Sequence, residues 1–172
     1  MKYLLGVDIG TSGTKTVLFD LSGTPVASDT QIYPLDQPQI GWAEQDPEDW
    51  WRAAAESMRN AIAKAGAHSE EIGAVGLSGQ MHGMVLLDAD GRVIRPAIIW
   101  CDQRTEAECA EITDALGRER LISITANPAL TGFTASKVLW VKKHEPENFD
   151  SDRGCVAGSA DERCVHRHLG RR

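Results

Sequence analysis

Asp8 closes an apolar run (Tyr3, Leu4, Leu5, Val7) and stands just before the turn Gly10-Thr11-Ser12-Gly13. Backbone N–H groups in a turn of small residues can converge on an anion, and the Thr11 and Ser12 hydroxyls add donors. Gly10 and Gly13 are open to backbone angles closed to other residues, which lets the main chain approach a ligand. A carboxylate does not face a phosphate without a cation between them. The natural partner of Asp8 is a hydrated Mg2+, which takes one or two carboxylates and keeps several waters. Lys15 either reaches the phosphate or, by alternation with Val17, turns to solvent. On spacing alone a phosphate-and-magnesium hairpin and an ordinary glycine-rich hairpin stand level. The segment is neither a GxxxxGK[ST] loop nor a GxGxxG turn opening a helix.

A second group lies further along, in Gln80, Met81 and His82, followed by Trp100, Asp102 and Arg104. Gln80 and His82 can donate and accept hydrogen bonds, and Met81 offers an adaptable apolar wall. A polyol asks for such a mixture, because each hydroxyl is both donor and acceptor. The Trp100 indole can cover the apolar face of a sugar with its N–H left for a hydroxyl. Asp102 and Arg104 either bind hydroxyls or brace each other. Trp100 can equally be a core residue; the lesser alternatives are Met81 as core and His82 as a structural histidine. The Trp42, Trp50 and Trp51 group reads as packing.

The elements that must position these residues follow from the pattern. Strands are predicted over 3–8, 14–20 and 25–33, joined by short turns into an antiparallel meander. Residues 34–45 read as an irregular loop. A helix is predicted from Asp46 as N-cap, with Pro47 at its first position, to about Ala65. Its buried stripe is read as Trp50, Ala54, Met58 and Ile62, with Ala61 and Ala65 alongside. Residues 72–77 read as a buried strand that delivers Gln80–His82 to a strand's carboxyl end, where α/β sheets bind ligands. Strands over 84–88 and 97–100 and helices over 104–116 and 134–144 follow. The order gives an α/β fold with a mixed sheet and flanking helices.

Composition excludes several classes. The chain has 172 residues and a net charge of -7, which argues against a nucleic-acid surface. No apolar run approaches the roughly 20 residues that cross a bilayer. The N-terminus lacks a long apolar leader and a cleavage site, so the reading is a cytoplasmic protein with no membrane partner. Cys101, Cys109, Cys155 and Cys164 form no CxxC pair and are expected as free thiols. Cys164, His166 and His168 lack a second ligand pair at zinc spacing.

Residues 4–16 resemble the first phosphate loop of the sugar-kinase, actin and Hsp70 superfamily. LSGQMHG (77–83), WCDQR (100–104) and WAEQDPEDWW (42–51) resemble the FGGY carbohydrate kinases, and the GQMHG string is most similar to the xylulose-phosphorylating members. The resemblance covers residues 1–150 and implies a ribonuclease-H-like (actin-type ATPase) domain. It implies ATP and Mg2+ as cofactors, with Asp8 organising the metal and Gly10, Thr11, Ser12, Gly13 and Lys15 at the phosphates. It implies transfer of a phosphoryl group to a ketopentose, D-xylulose first, with L-ribulose, gluconate and glycerol as the other sugars, and it makes Met81 and His82 the best substrate contacts. The family's general-base aspartate and its adenosine-binding elements belong to later segments, and no aspartate here matches the base motif. Negligible turnover is therefore expected from this chain, as a truncated kinase part or as a non-catalytic sugar-binding fragment. An unfinished domain edge favours self-association, and a homodimer is expected of the full-length protein. Residues 151–172 hold five of the 18 basic residues and no aromatic, and they read as a disordered, foreign or out-of-frame tail.

Overall fold

The computed structural model describes residues 1–152 and 154–157. The chain forms two compact units. Residues Met1–Leu35 and Pro47–Gln80 make the first, and Asp36–Asp46 joins the chain from Met81 onward in the second.

In the first unit, β1 (Tyr3–Ile9), β2 (Gly13–Asp20) and β3 (Pro25–Ile32) form the expected meander. Helix α1 (Pro47–Lys64) follows the Asp46-Pro47 signal, with Glu48 and Asp49 in its first turn and Lys64 in its last, as the helix dipole favours. A single 3-10 turn (Ser69–Glu71) leads into a further strand of this unit, which runs over Ile72–Gly79 parallel to β1. The sheet is therefore mixed. One face of the meander is sealed by α1: Leu5, Val7, Thr14, Thr16 and Leu18 are buried. The buried stripe of α1 is Ala53, Ala54, Ser57 and Ala61; Ala54 and Ala61 are as expected, whereas Trp50, Met58 and Ile62 are only partly buried. Small side chains allow the helix to sit close to the sheet, and the larger ones fall on the rim. Thr16 and Ser57 join across this contact, hydroxyl to hydroxyl at 2.7 Å, both fully buried. Thr16→Val alone should cost about 0.5–1.5 kcal/mol, the worth of one hydrogen bond: the Ser57 hydroxyl keeps its donation to the Ala54 carbonyl at 3.1 Å and loses only the partner of its oxygen. Adding Ser57→Ala should recover part of that loss in urea unfolding.

The strand over Ile72–Gly79 was expected to be buried, yet it is exposed along most of its length, with Val75 and Leu77 among the exposed apolar side chains. It is the outermost strand of its four-stranded sheet, so an apolar sequence here does not mean enclosure.

The second unit holds an antiparallel sheet. β4 (Glu44–Gln45) arises inside the stretch read as an irregular loop, and the strand just described is β5. Then come β6 (Met84–Leu87) and β7 (Ala97–Ile98), and β4 pairs with β7 through Glu44 opposite Ile98. The helices are α2 (Glu106–Leu116), α3 (Arg118–Thr125), α4 (Thr134–His144) and α5 (Pro146–Ser151). Met84, Leu86, Ile98, Val138, Trp140 and Val141 form the core, with Trp42, Ile94 and Phe149 against it. β8 (Gly154–Ala157) pairs antiparallel with β6, Leu87 opposite Gly154. Regular structure thus continues past the boundary expected at residue 150, into the stretch read as tail. The expectation of disorder from 158 on lies outside the described residues, as do Cys164, His166 and His168.

Candidate functional site

The hairpin comes first. Asp8 faces Lys15 across the β1–β2 ladder and Ser78 across the β1–β5 ladder, and Lys15 faces Thr30 on β3. Directly opposed residues share a sheet face. Thr30, Lys15, Asp8 and Ser78 therefore form one row on the face away from α1. Lys15 is exposed on the carboxylate's side, and the buried Thr14 and Thr16 that flank it in β2 occupy the other. The Ser78 hydroxyl donates to Asp8 Oδ1 at 2.5 Å. An exposed carboxylate with one oxygen oriented in this way suits a hydrated Mg2+, which takes few protein ligands and keeps its waters. Among the described residues no group of three or more His, Cys, Asp or Glu could form an all-protein metal cage.

Gly10 and Gly13 do their work through size. Neither has a positive φ, so the left-handed freedom expected of them is not used. A Cβ on Gly13 would lie 2.5 Å from the Gln31 carbonyl oxygen, and one on Gly10 would lie 3.3 Å from the Gly13 oxygen. The turn is tight because neighbouring backbone occupies the space. The Gly10 N–H donates to the Gly13 carbonyl at 3.0 Å, and the Tyr33 hydroxyl donates to the Gly10 carbonyl. Burial raises the Tyr33 pKa, so the hydroxyl stays a donor at neutral pH. Tyr33 escaped sequence reasoning, since a tyrosine ending a strand carries no signal of a brace 23 residues away.

Gln80 follows β5, and its N–H donates to the Ile9 carbonyl at 2.8 Å, extending the ladder by one residue. Met81 and His82 come next in the chain and belong to the second unit. There Met81 is 57% exposed and Trp100 49% exposed, so neither is the core residue that composition allowed. His82 has φ 62, in the left-handed region. Its ring meets Phe133 edge-on at 4.7 Å. A cavity of about 350 Å3 lies beside His82, walled by Ile112, Leu121, Leu130, Phe133 and Val138, and the side chains of Met81, Trp100 and Asp102 do not line it.

Asp102 and Arg104 brace each other. Asp102 is buried, and its carboxylate accepts from Arg104 Nε at 3.0 Å, Arg104 Nη2 at 2.7 Å and the Ala43 N–H at 2.6 Å. Arg104 also pairs with Glu44 at 2.7 Å and lies over the Trp42 ring at 3.7 Å. Arg95 joins Glu44 to Glu145. This cluster explains Trp42: it is the aromatic lid on a buried guanidinium. Lys137, fully buried in α4, donates to the His82 and Gly132 carbonyls, each at 2.7 Å. Cys101 and Cys109 are free thiols, as expected.

With this geometry set beside known proteins, residues 3–159 match the model of the N-terminal domain of the FGGY family of carbohydrate kinases. The chain belongs to the FGGY family. A xylulose kinase of Bacillus subtilis is 44% identical over 149 residues, which is 87% of this chain and 30% of that relative. Among solved structures, a xylulose kinase from Rhodospirillum rubrum superposes with a TM-score of 0.85 at 30% identity, over 91% of this chain and 32% of that one. A gluconate kinase from Lactobacillus acidophilus gives 0.83 at 30% identity, over 90% and 31%. The chain thus spans about 30% of the FGGY relatives it matches. The actin-type fold with its mixed sheet and flanking helices is shared with these sugar kinases. Among the described residues, no FGGY helix here is long and apolar enough to cross a membrane.

Proposed function

We propose that this chain carries the phosphate turn and the sugar loop of an ATP-dependent ketopentose kinase, with D-xylulose as the sugar. What supports the reading most is the 44% identity to xylulose kinases over a stretch that includes both elements. The row Lys15–Asp8–Ser78 gives the turn an exposed cation and an exposed anion side by side. Asp8 would hold Mg2+, which when bound supplies charge neutralisation for the transferring phosphoryl. The chain's own part is positioning, which dominates in phosphoryl transfer. Gly10–Gly13 present main-chain donors, and Tyr33 keeps the turn from opening. Trp100 offers an apolar face to a sugar ring or chain, and His82 offers a ring nitrogen to a hydroxyl. Gluconate and glycerol are the competing substrates, since relatives named for both share the fold.

Calorimetric titration of the chain with D-xylulose, gluconate and glycerol tests this. D-xylulose should bind tightest, and His82→Ala should weaken it roughly tenfold, the value of one hydrogen bond to a neutral group. In a coupled ADP-release assay the 172 residues alone should stay far below the roughly 1–100 per second of kinases, because none of their aspartates matches the family's base motif. Equal affinity for all three compounds would remove D-xylulose from the proposal, and ordinary turnover would place a base within this chain.

A further inference from the structure

Lys137 sits where α4 would be expected to carry an apolar side chain, flanked by the buried Ser136 and Val138. Its Nζ reaches two carbonyls from segments far apart in sequence, His82 and Gly132, at 2.7 Å each. We infer that Lys137 is the positioning residue of the sugar loop: it pins the His82 backbone to Gly132 and so fixes where the His82 imidazole and the Trp100 indole are presented. The inference deepens the ketopentose reading above and rests on it for the role of His82.

The geometry around His82 calls for such a pin. A residue with a side chain holds a left-handed conformation only where its surroundings over-determine it. His82 does so at φ 62 without being a glycine. Its carbonyl receives Lys137 Nζ, and the Thr134 hydroxyl lies within 3.5 Å of the same oxygen. Its ring leans on Phe133. Both ends of the residue are thus fastened to the 132–137 segment. Trp100 lies against the same segment: a Cβ on Gly132 would fall 2.8 Å from the Trp100 carbonyl oxygen, so the bare Cα is what admits the turn that follows β7. Lys137 Nζ is the polar joint where these pieces meet. A lysine fits the task because its head carries several N–H donors on a flexible stem.

The test is a double-mutant cycle on the full chain with Lys137→Met, His82→Ala and the pair, read by D-xylulose titration and by NMR of the histidine ring signals. Lys137→Met keeps the stem and removes the donors. It should weaken D-xylulose at least tenfold and shift the His82 ring resonances, and His82→Ala in that background should cost less than a further twofold. Should Lys137→Met fail to fold, Lys137→Gln retains an N–H pair on a shorter arm and should show an intermediate loss with the same coupling. A folded Lys137→Met with wild-type His82 signals and affinity overturns the inference, as do independent, multiplicative effects of the two substitutions. If the unmodified chain binds no D-xylulose while Lys137→Met still shifts the His82 ring, the pin stands and the ketopentose reading falls.

Discussion

Replacing Arg104 by methionine should lower the unfolding free energy by about 3–5 kcal/mol, the cost of leaving buried charge without its partner. The side chain is 1% exposed and faces two carboxylates, Asp102 at 2.7 Å and Glu44 at 2.7 Å, whose own side chains are 0% and 9% exposed. Methionine fills much of the volume but offers neither charge nor fork. Asp102 would keep only the N–H of Ala43 and that of residue 104. Glu44 would keep Arg95. The stacked contact with Trp42 would also weaken, since a thioether replaces a cation over the ring. Lysine at 104 should recover part of the loss, because it restores a point charge without the planar, two-pronged geometry. Urea unfolding followed by tryptophan fluorescence reads the shift, and a change below about 1 kcal/mol would mean the cluster is as weak as surface pairs are.

Raising the pH from 7 to about 10 should stabilise the native chain relative to Lys137→Met by about 2–3 kcal/mol. Burial lowers the Lys137 pKa from 10.5 to about 8, against the opposing pull of Asp102 and Cys101 and with a smaller push from Arg104. Between about pH 8 and 10.5 the unfolded chain therefore holds a proton that the native chain has released. Stability rises with pH wherever the unfolded state binds more protons, so the gain grows through that window and is absent below it. The native contacts survive the titration, because a neutral amine still has N–H groups for the His82 and Gly132 carbonyls. Comparing the two proteins at each pH cancels the titration of distant tyrosines and cysteines. A flat difference between pH 7 and 10 would show that Lys137 titrates near its solution value.

The hairpin was legible because its signals are local. Alternation in 14–20 and the Gly-Thr-Ser-Gly turn specify strand, turn and strand without help from the rest of the chain. The glycines matter for a different reason than φ: Gly10 is crowded by the Gly13 oxygen, within the turn itself, and Gly13 by Gln31, on a strand whose register no local pattern reveals. β4 was missed because two residues carry no period, and its partner β7 lies more than fifty residues on. β5 was read as enclosed because composition reports what a strand can bury and not whether a neighbour arrives. Lys137 was passed over for a related reason. A lysine in an amphipathic helix ordinarily faces water, and only the buried residues on both sides of it hint otherwise. Asp102 and Arg104, two positions apart, were legible as a pair, whereas their third partner, Glu44, was not.

Because residues 36–46 leave the first unit and fold into the second, neither unit can be cut out as one continuous length of chain. A gene fragment beginning at Met81 would lack Glu44 and the Ala43 amide, and the Arg104 guanidinium would open onto solvent where the Trp42 indole now covers it. Dissecting this protein therefore calls for a circular permutation or a grafted linker that carries the eleven-residue excursion along, and not for a simple truncation.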